Sequence, residues 1–153
     1  RSRGSERGDV AEFSMTPEER EAFLADVHVG VLAIEEPGRG PLALPVWYVY
    51  SDGEVRIDID GSSLKARLLA AAGRATLTVQ NEAPPYQYVS VEGPVTKIES
   101  ADVERDARPL AHRYLGQRGG DRYIDSTGGE DTREGSIRVS FRPERWLTVD
   151  YGK

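Results

Sequence analysis

Over residues 54–60 apolar and polar side chains alternate without interruption: Val55, Ile57 and Ile59 fall on one side of an extended chain, and Arg56, Asp58 and Asp60 on the other. A side-chain period of two is what a strand with one buried face requires, and a helix cannot use it. Further short segments read the same way. Residues 29–34 form a mostly apolar run, and residues 42–50 are rich in aromatic and branched side chains. Residues 75–80 follow, and then 86–92, which Gly93-Pro94 breaks or bends before 95–99 continues. Ile137, Val139 and Phe141 alternate with Arg138, Ser140 and Arg142, and Pro143 interrupts that strand before a last extended stretch at 146–151. Turn signals separate these runs, notably the proline- and glycine-rich 36–41 and the Asp52-Gly53 hairpin pair. The strand–helix alternation of a doubly wound parallel sheet is missing. The pattern predicts a mainly β fold, a six-stranded antiparallel barrel, closed or partly closed, with inserted helices.

The helices announce themselves by their ends. Thr16-Pro17-Glu18-Glu19 combines a threonine N-cap, proline at the first helical position and glutamate three residues after the cap, which is a capping box, and Phe23, Leu24 and Val27 supply an apolar face. Gly61-Ser62-Ser63 opens a short helix over 64–72 that Gly73 closes. Ser100 caps a longer helix whose stripe is Val103, Ala107, Leu110, Ala111 and Tyr114. Residues 116–135 are polar and glycine-rich and read as loop with at most one helical turn. Residues 1–14 read as a flexible lead-in, with Met15 as the expected native start and one domain over 15–153.

Composition narrows the function. The net charge is −6, which argues against nucleic acid as the main partner, because binding a phosphate backbone takes a cationic surface. The chain has no cysteine, so disulfides, thiolate catalysis, iron–sulfur clusters and cysteine-held zinc are all absent. With no oxidative staple and no secretory signal a reducing cytoplasm is expected, and no membrane partner is expected, since no apolar run is long enough to span a bilayer. His28 and His112 stand alone and read as structural or surface residues. No metal site is expected, and no nucleophile elbow, Walker loop, dinucleotide fingerprint or zincin motif occurs. No side chain is assigned a catalytic role, and a bound cofactor remains as the route to chemistry.

Two positive signals remain. In Gly61-Ser62-Ser63-Leu64-Lys65-Ala66-Arg67 a strand ends and small residues lead into a helix with Lys65 in its first turn. The N–H groups and dipole of a helix start favour an anion, and Lys65 adds a full charge, so the segment reads as a phosphate cradle. On the local pattern alone the commoner reading is an ordinary serine-capped helix with solvated basic residues, because serine often precedes a helix. The second signal is aromatic: Pro45-Val46-Trp47-Tyr48 on one strand and Pro84-Pro85-Tyr86-Gln87-Tyr88 at the start of another. Such rings suit a planar heterocycle, a barrel core or a subunit interface.

Taken in order, His28-Val29-Gly30-Val31-Leu32-Ala33, Pro45-Val46-Trp47-Tyr48, Ser63-Leu64-Lys65-Ala66-Arg67, Pro85-Tyr86-Gln87-Tyr88-Val89, Val91-Glu92-Gly93, Arg113-Tyr114-Leu115-Gly116 and the ending 146–151 resemble the pyridoxamine 5′-phosphate oxidase-like flavin-binding split-barrel superfamily over residues 15–153. Within it the chain is most similar to the actinobacterial deazaflavin-dependent reductases that use coenzyme F-420. The resemblance implies a homodimeric split barrel with two cofactor sites at the interface, acting as an oxidoreductase that transfers a hydride between coenzyme F-420 and a small organic substrate. FMN is the alternative cofactor. A protein that stores or carries flavin, deazaflavin or haem without turnover is the alternative function. By the same analogy Ser63, Lys65 and Arg67 hold the cofactor phosphate, backbone around Val46, Trp47 and Tyr48 meets the ring system, and Tyr86 and Tyr88 line the dimer cleft. These two tyrosines are also the candidate proton donors, although an unperturbed tyrosine, with a pKa of about 10, is a poor acid at neutral pH. Leu68 stands where relatives often carry asparagine. The full set of basic ligands expected of a true pyridoxamine phosphate oxidase is missing, which disfavours that activity.

Overall fold

A computed structural model describes residues 12–126 and 134–153. In chain order they form helix α1 (Pro17–Ala25), strands β1 (Gly30–Ile34), β2 (Leu42–Val46), β3 (Val49–Ser51) and β4 (Glu54–Asp60), helix α2 (Leu64–Ala72), strands β5 (Arg74–Gln80) and β6 (Gln87–Ser100), a π-helical turn (Val103–Ala107) running into helix α3 (Arg108–Ser126), and strands β7 (Ser136–Phe141) and β8 (Arg145–Asp150). The strands join in the order β2-β1-β5-β6-β7-β4-β3, with β8 also paired to β6. Every pairing is antiparallel.

This is the antiparallel split barrel that the sequence predicts, built from eight strand segments rather than six. The segment over 42–50 divides into β2 and β3, because Trp47 and Tyr48 leave the ladder between them. Pro143, which has no N–H to offer a ladder, separates β7 from β8. The Gly93-Pro94 pair, by contrast, bends one continuous strand. The first half of β6 lies between β5 and β8, and its second half pairs with β7 after a register shift between Val95 and Lys97. A Cβ at Gly93 would lie 1.7 Å from the carbonyl oxygen of Arg142, so only glycine lets the chain pass there.

The alternation of β4 becomes burial: Val55, Ile57 and Ile59 are buried with Leu32, Leu77, Val89, Val91, Val139 and Phe141 in one core. Each such side chain contributes on the order of 1.5–3 kcal/mol when fully buried. The opposite face of β4 and β7 carries Arg56, Asp58, Arg138 and Ser140, which stand opposite one another in register (Arg56 with Ser140, Asp58 with Arg138).

Both short helices begin as their sequences dictate. Thr16 and Glu19 form the reciprocal capping box, at 2.8 and 3.1 Å. Ser63 caps α2, and Gly73, at φ 66°, ends it. Two expectations need correction. The π-helical turn is capped by Asp102, whose carboxylate accepts from the N–H of Arg105 at 2.8 Å, and not by Ser100. The glycine-rich stretch after Gly116 is helical as far as Ser126, beyond a break at Gly116 (φ 75°, ψ 172°); its residues 127–133 lie outside the described residues. A Cβ at Gly120 would come within 2.7 Å of the backbone nitrogen of His112. These glycines turn the helix and let its second half pack closely on its first. Of the expected flexible lead-in, residues 1–11 lie outside the described residues. Phe13 is held, its carbonyl accepting from the N–H of Asp150 at 2.7 Å and its ring packed on Tyr151. The N–H of Met15 donates to Thr148 Oγ1 at 3.0 Å.

Candidate functional site

The outward face of β4 lies under the α3 region, and between them is a cavity of about 150 Å³ lined by Pro45, Val46, Trp47, Ile57, Asp58, Ile59, Lys65, Leu110 and Tyr123. Three of the eight residues expected at a cofactor site, Val46, Trp47 and Lys65, therefore meet in one place although α2 and β2 are far apart in sequence. The start of α2 delivers Lys65, and the end of β2 delivers Val46 and Trp47.

Trp47 has a second task. Its ring stacks on Tyr114 at a centroid distance of 4.9 Å and an interplanar angle of 5°, and meets Tyr123 at 5.4 Å. The indole thus anchors α3 over the sheet. Tyr48 turns the other way. Its ring is fully buried, its hydroxyl donates to the carbonyl of Leu24 at 2.6 Å, and burial pushes its pKa well above the ordinary tyrosine value. Its backbone N–H donates to Tyr114 Oη at 3.0 Å, and that hydroxyl in turn donates to the carbonyl of His28 at 2.6 Å. Tyr48 fixes the loop behind the cavity and does not line it.

Ser63 acts as a cap. Its hydroxyl donates to the carbonyl of Asp60 at 2.6 Å and accepts from the N–H of Ala66 at 3.2 Å. Ser62 is tied to Asp60 as well, through both its N–H and its hydroxyl. Arg67 is exposed, donates to the carbonyl of Ser62 at 3.3 Å and does not line the cavity. The capped-helix reading of this segment is thus realised in full, and its phosphate reading rests on Lys65. Tyr86 is 52% exposed, and Tyr88 stands opposite Val149 and Gln80 in the other half of the sheet; neither lines the cavity.

Asp58, Leu110 and Tyr123 line the cavity without having been singled out as site residues. The alternation of β4 and the stripe of the long helix held the signal for Asp58 and Leu110. Tyr123 fell in the stretch read as loop. The Asp58 side chain is fully buried and receives a two-pronged ion pair from Arg138, at 2.7 and 2.9 Å. Arg138 also reaches Asp106, at 3.3 Å. This pairing matters to an anionic ligand, because Arg138 offsets the one carboxylate among the described lining residues, while Lys65 is the one cation. No group of acidic or histidine side chains able to hold a metal ion occurs among the described residues.

The family model of pyridoxamine 5′-phosphate oxidase matches residues 16–149. The chain belongs to the pyridoxamine 5′-phosphate oxidase family. No curated protein matches its sequence at a significant level. Solved structures show the same fold. An F-420 reductase is 21% identical, with a TM-score of 0.71 over 86% of this chain and 98% of its own. A conserved hypothetical protein from Mycobacterium tuberculosis is 21% identical, with a TM-score of 0.73 over 92% of this chain and 88% of its own. A FAD-binding protein from Mesorhizobium loti is 17% identical, with a TM-score of 0.64 over 88% of this chain and 94% of its own. A structure described as an F-420 reductase and one described as a FAD-binding protein thus share this fold. No helix among the described residues is long and apolar enough to cross a membrane.

Proposed function

We propose that the chain is a homodimeric oxidoreductase that binds coenzyme F-420 and serves hydride transfer to or from a small organic substrate. The observation that carries this reading is the meeting of Lys65, at a helix start, with the apolar and aromatic wall of Val46, Trp47, Leu110 and Tyr123 in one cavity. A cation beside a helix N-terminus suits a phosphate, and flat apolar walls suit a conjugated ring. The residues present therefore fit a phosphate-bearing flavin-type group. When bound, such a cofactor supplies hydride chemistry that no side chain here offers. The chain's own part is to anchor the phosphate through Lys65, orient the ring against the β2 end and keep water from its enclosed side.

The homodimer is proposed on two grounds. The cavity of about 150 Å³ is below the ~300 Å³ at which small-molecule pockets usually begin, so one chain supplies only part of a wall. Beside it lies a weakly polar sheet face: Pro45, Val31, Thr78, Ser90 and Leu147 stand in one cross-strand row, with Val31 44% and Leu147 50% exposed. Pro45 belongs to both the row and the cavity, so a second copy seated on this face reaches the cofactor. Tyr88 lies on the same face by strand alternation, which is how it and Tyr86 would come to line a cleft between copies.

The test is titration of purified protein with coenzyme F-420 and with FMN, followed by single-turnover reoxidation with candidate acceptors. Tighter binding of coenzyme F-420 with acceptor-dependent reoxidation is expected. A clear preference for FMN would keep the fold and move the protein to the flavin branch. Binding without acceptor-dependent reoxidation would favour a carrier.

A further inference from the structure

A second cavity, of about 310 Å³, opens further along the same sheet face, between the β3–β4 hairpin, β7 and the π-helical turn. Val49, Pro109 and Leu110 give it an apolar floor, and four arginines stand in its wall: Arg56, Arg105, Arg113 and Arg138. In a chain of net charge −6 this wall holds more cations than carboxylates, the latter being Asp52 and Asp106. Two of the four are neutralised. Arg138 is held by Asp58 and Asp106, and Arg105 by Asp106 and Glu99. The other two meet only uncharged acceptors. Arg56 donates to the carbonyl and hydroxyl of Ser51, and Arg113 to the carbonyls of Ala25 and Asp26. Among the described residues neither forms an ion pair, and the buried Nε of Arg113 has no hydrogen-bond acceptor. Asp52, at the hairpin tip, is the one other carboxylate in the wall besides Asp106.

We infer that this second cavity is a binding site for a small organic oxyanion, a carboxylate or a phosphate monoester carried on a compact apolar body. Guanidinium groups match the planar, two-oxygen geometry of such anions and bind them through charge-assisted hydrogen bonds. The volume is on the order of ten water-sized groups, and Val49, Pro109 and Leu110 suit an aliphatic or aromatic remainder. One wall is the π-helical turn, a rare backbone form that is frequently found at functional sites. Leu110 lines both cavities, so the bound anion sits beside the proposed cofactor pocket. The inference does not depend on which cofactor that pocket takes.

Amide chemical-shift titrations with benzoate, phenyl phosphate and the uncharged benzamide test it, on wild type, Arg56→Gln and Lys65→Ala. Saturable binding of at least one anion in the millimolar range or tighter is expected, with shifts centred on residues 49–56 and 105–113, and benzamide at least tenfold weaker. The stronger of the two anions identifies whether the site prefers a carboxylate or a phosphate. Arg56→Gln should weaken that anion about tenfold, while Lys65→Ala leaves it unchanged. Arg113→Lys, which keeps the charge and loses the fork, serves as the second variant and should also weaken binding if Arg56→Gln fails to fold. The inference is overturned if no anion saturates, if benzamide binds as well as benzoate, or if Lys65→Ala and not Arg56→Gln abolishes binding, which would send the anion to the helix start instead.

Discussion

Lys65 carries the most specific expectation at the level of single side chains. Lys65 is the one cation among the described residues that line the cavity, so the proposed charge-assisted contact to a cofactor phosphate is assigned to it. Replacing a partly exposed lysine normally changes stability by within about 0.5 kcal/mol, whereas losing its bond to phosphate should cost about 1.5–3 kcal/mol. Lys65→Ala is therefore expected to fold normally and to raise the cofactor dissociation constant roughly ten- to hundredfold. The effect should vanish for a cofactor fragment lacking the phosphate, and fluorescence titration of both forms checks it. Arg67→Ala, outside the cavity, should change little. Gly93 makes an opposite kind of prediction. A methyl group there collides with the backbone carbonyl of Arg142, and backbone cannot rotate away as a side chain can. Gly93→Ala should lose about 3 kcal/mol or more in urea unfolding. A loss under 1 kcal/mol would show that β6 and the Arg142 turn are not packed as described.

The elements differ in how plainly the sequence declares them. Caps at Thr16, Ser63 and Gly73 were legible because each is a local exchange of hydrogen bonds among a few neighbouring residues. The period of β4 was legible because one face meets the core. Residues 116–126 were misread because glycine is ambiguous. It marks loops when its freedom is used and tight packing when its missing side chain is used, and only the contact of Gly120 with His112 tells which. That ambiguity conceals Tyr123 in the sequence, and with it one wall of the candidate site. Asp58 was visible on the solvent side of β4, but its partners Arg138 and Asp106 come from β7 and the π-helical turn, and no spacing in the sequence reports that meeting. The ion-pair cluster gives α3 a pH dependence. Burial pushes the Asp106 carboxyl up, but its hydrogen bonds from Arg105 and the N–H of Asp102 and the charge of Arg138 outweigh this and hold it below the usual value. A depressed carboxyl stabilises the fold fully above its unfolded pKa, about 3.9, and loses that contribution as pH falls through the folded value. Asp106→Asn should thus be less stable than wild type near pH 6, and the gap should narrow below about pH 4. Fluorescence of Trp47, stacked on Tyr114 of α3, with Trp146→Phe as background, would follow it. A constant gap across that range would remove Asp106 as the source.

At the scale of the whole molecule the candidate site is tied to the proposed dimer. Within one chain the cavity is small and opens beside the row of Pro45, Val31, Thr78, Ser90 and Leu147. A sheet face with exposed apolar side chains is the kind of surface that two identical copies cover by symmetry. If the second copy also completes the cofactor wall, then cofactor binding and association are two readings of one equilibrium, and each must strengthen the other by the same factor. Sedimentation at micromolar concentration should show a dimer, and cofactor should shift the monomer–dimer balance further toward it. Val31→Asp, which puts a buried carboxylate from each copy on the proposed contact face, should yield folded monomer and weaken cofactor binding at least tenfold. Lys65→Ala should weaken binding and leave the unliganded dimer as it was. The two variants separate the causes: one breaks the wall, the other the anchor. Should the Val31→Asp monomer bind cofactor as tightly as wild type, the cavity is complete within one chain and the site is not shared between copies.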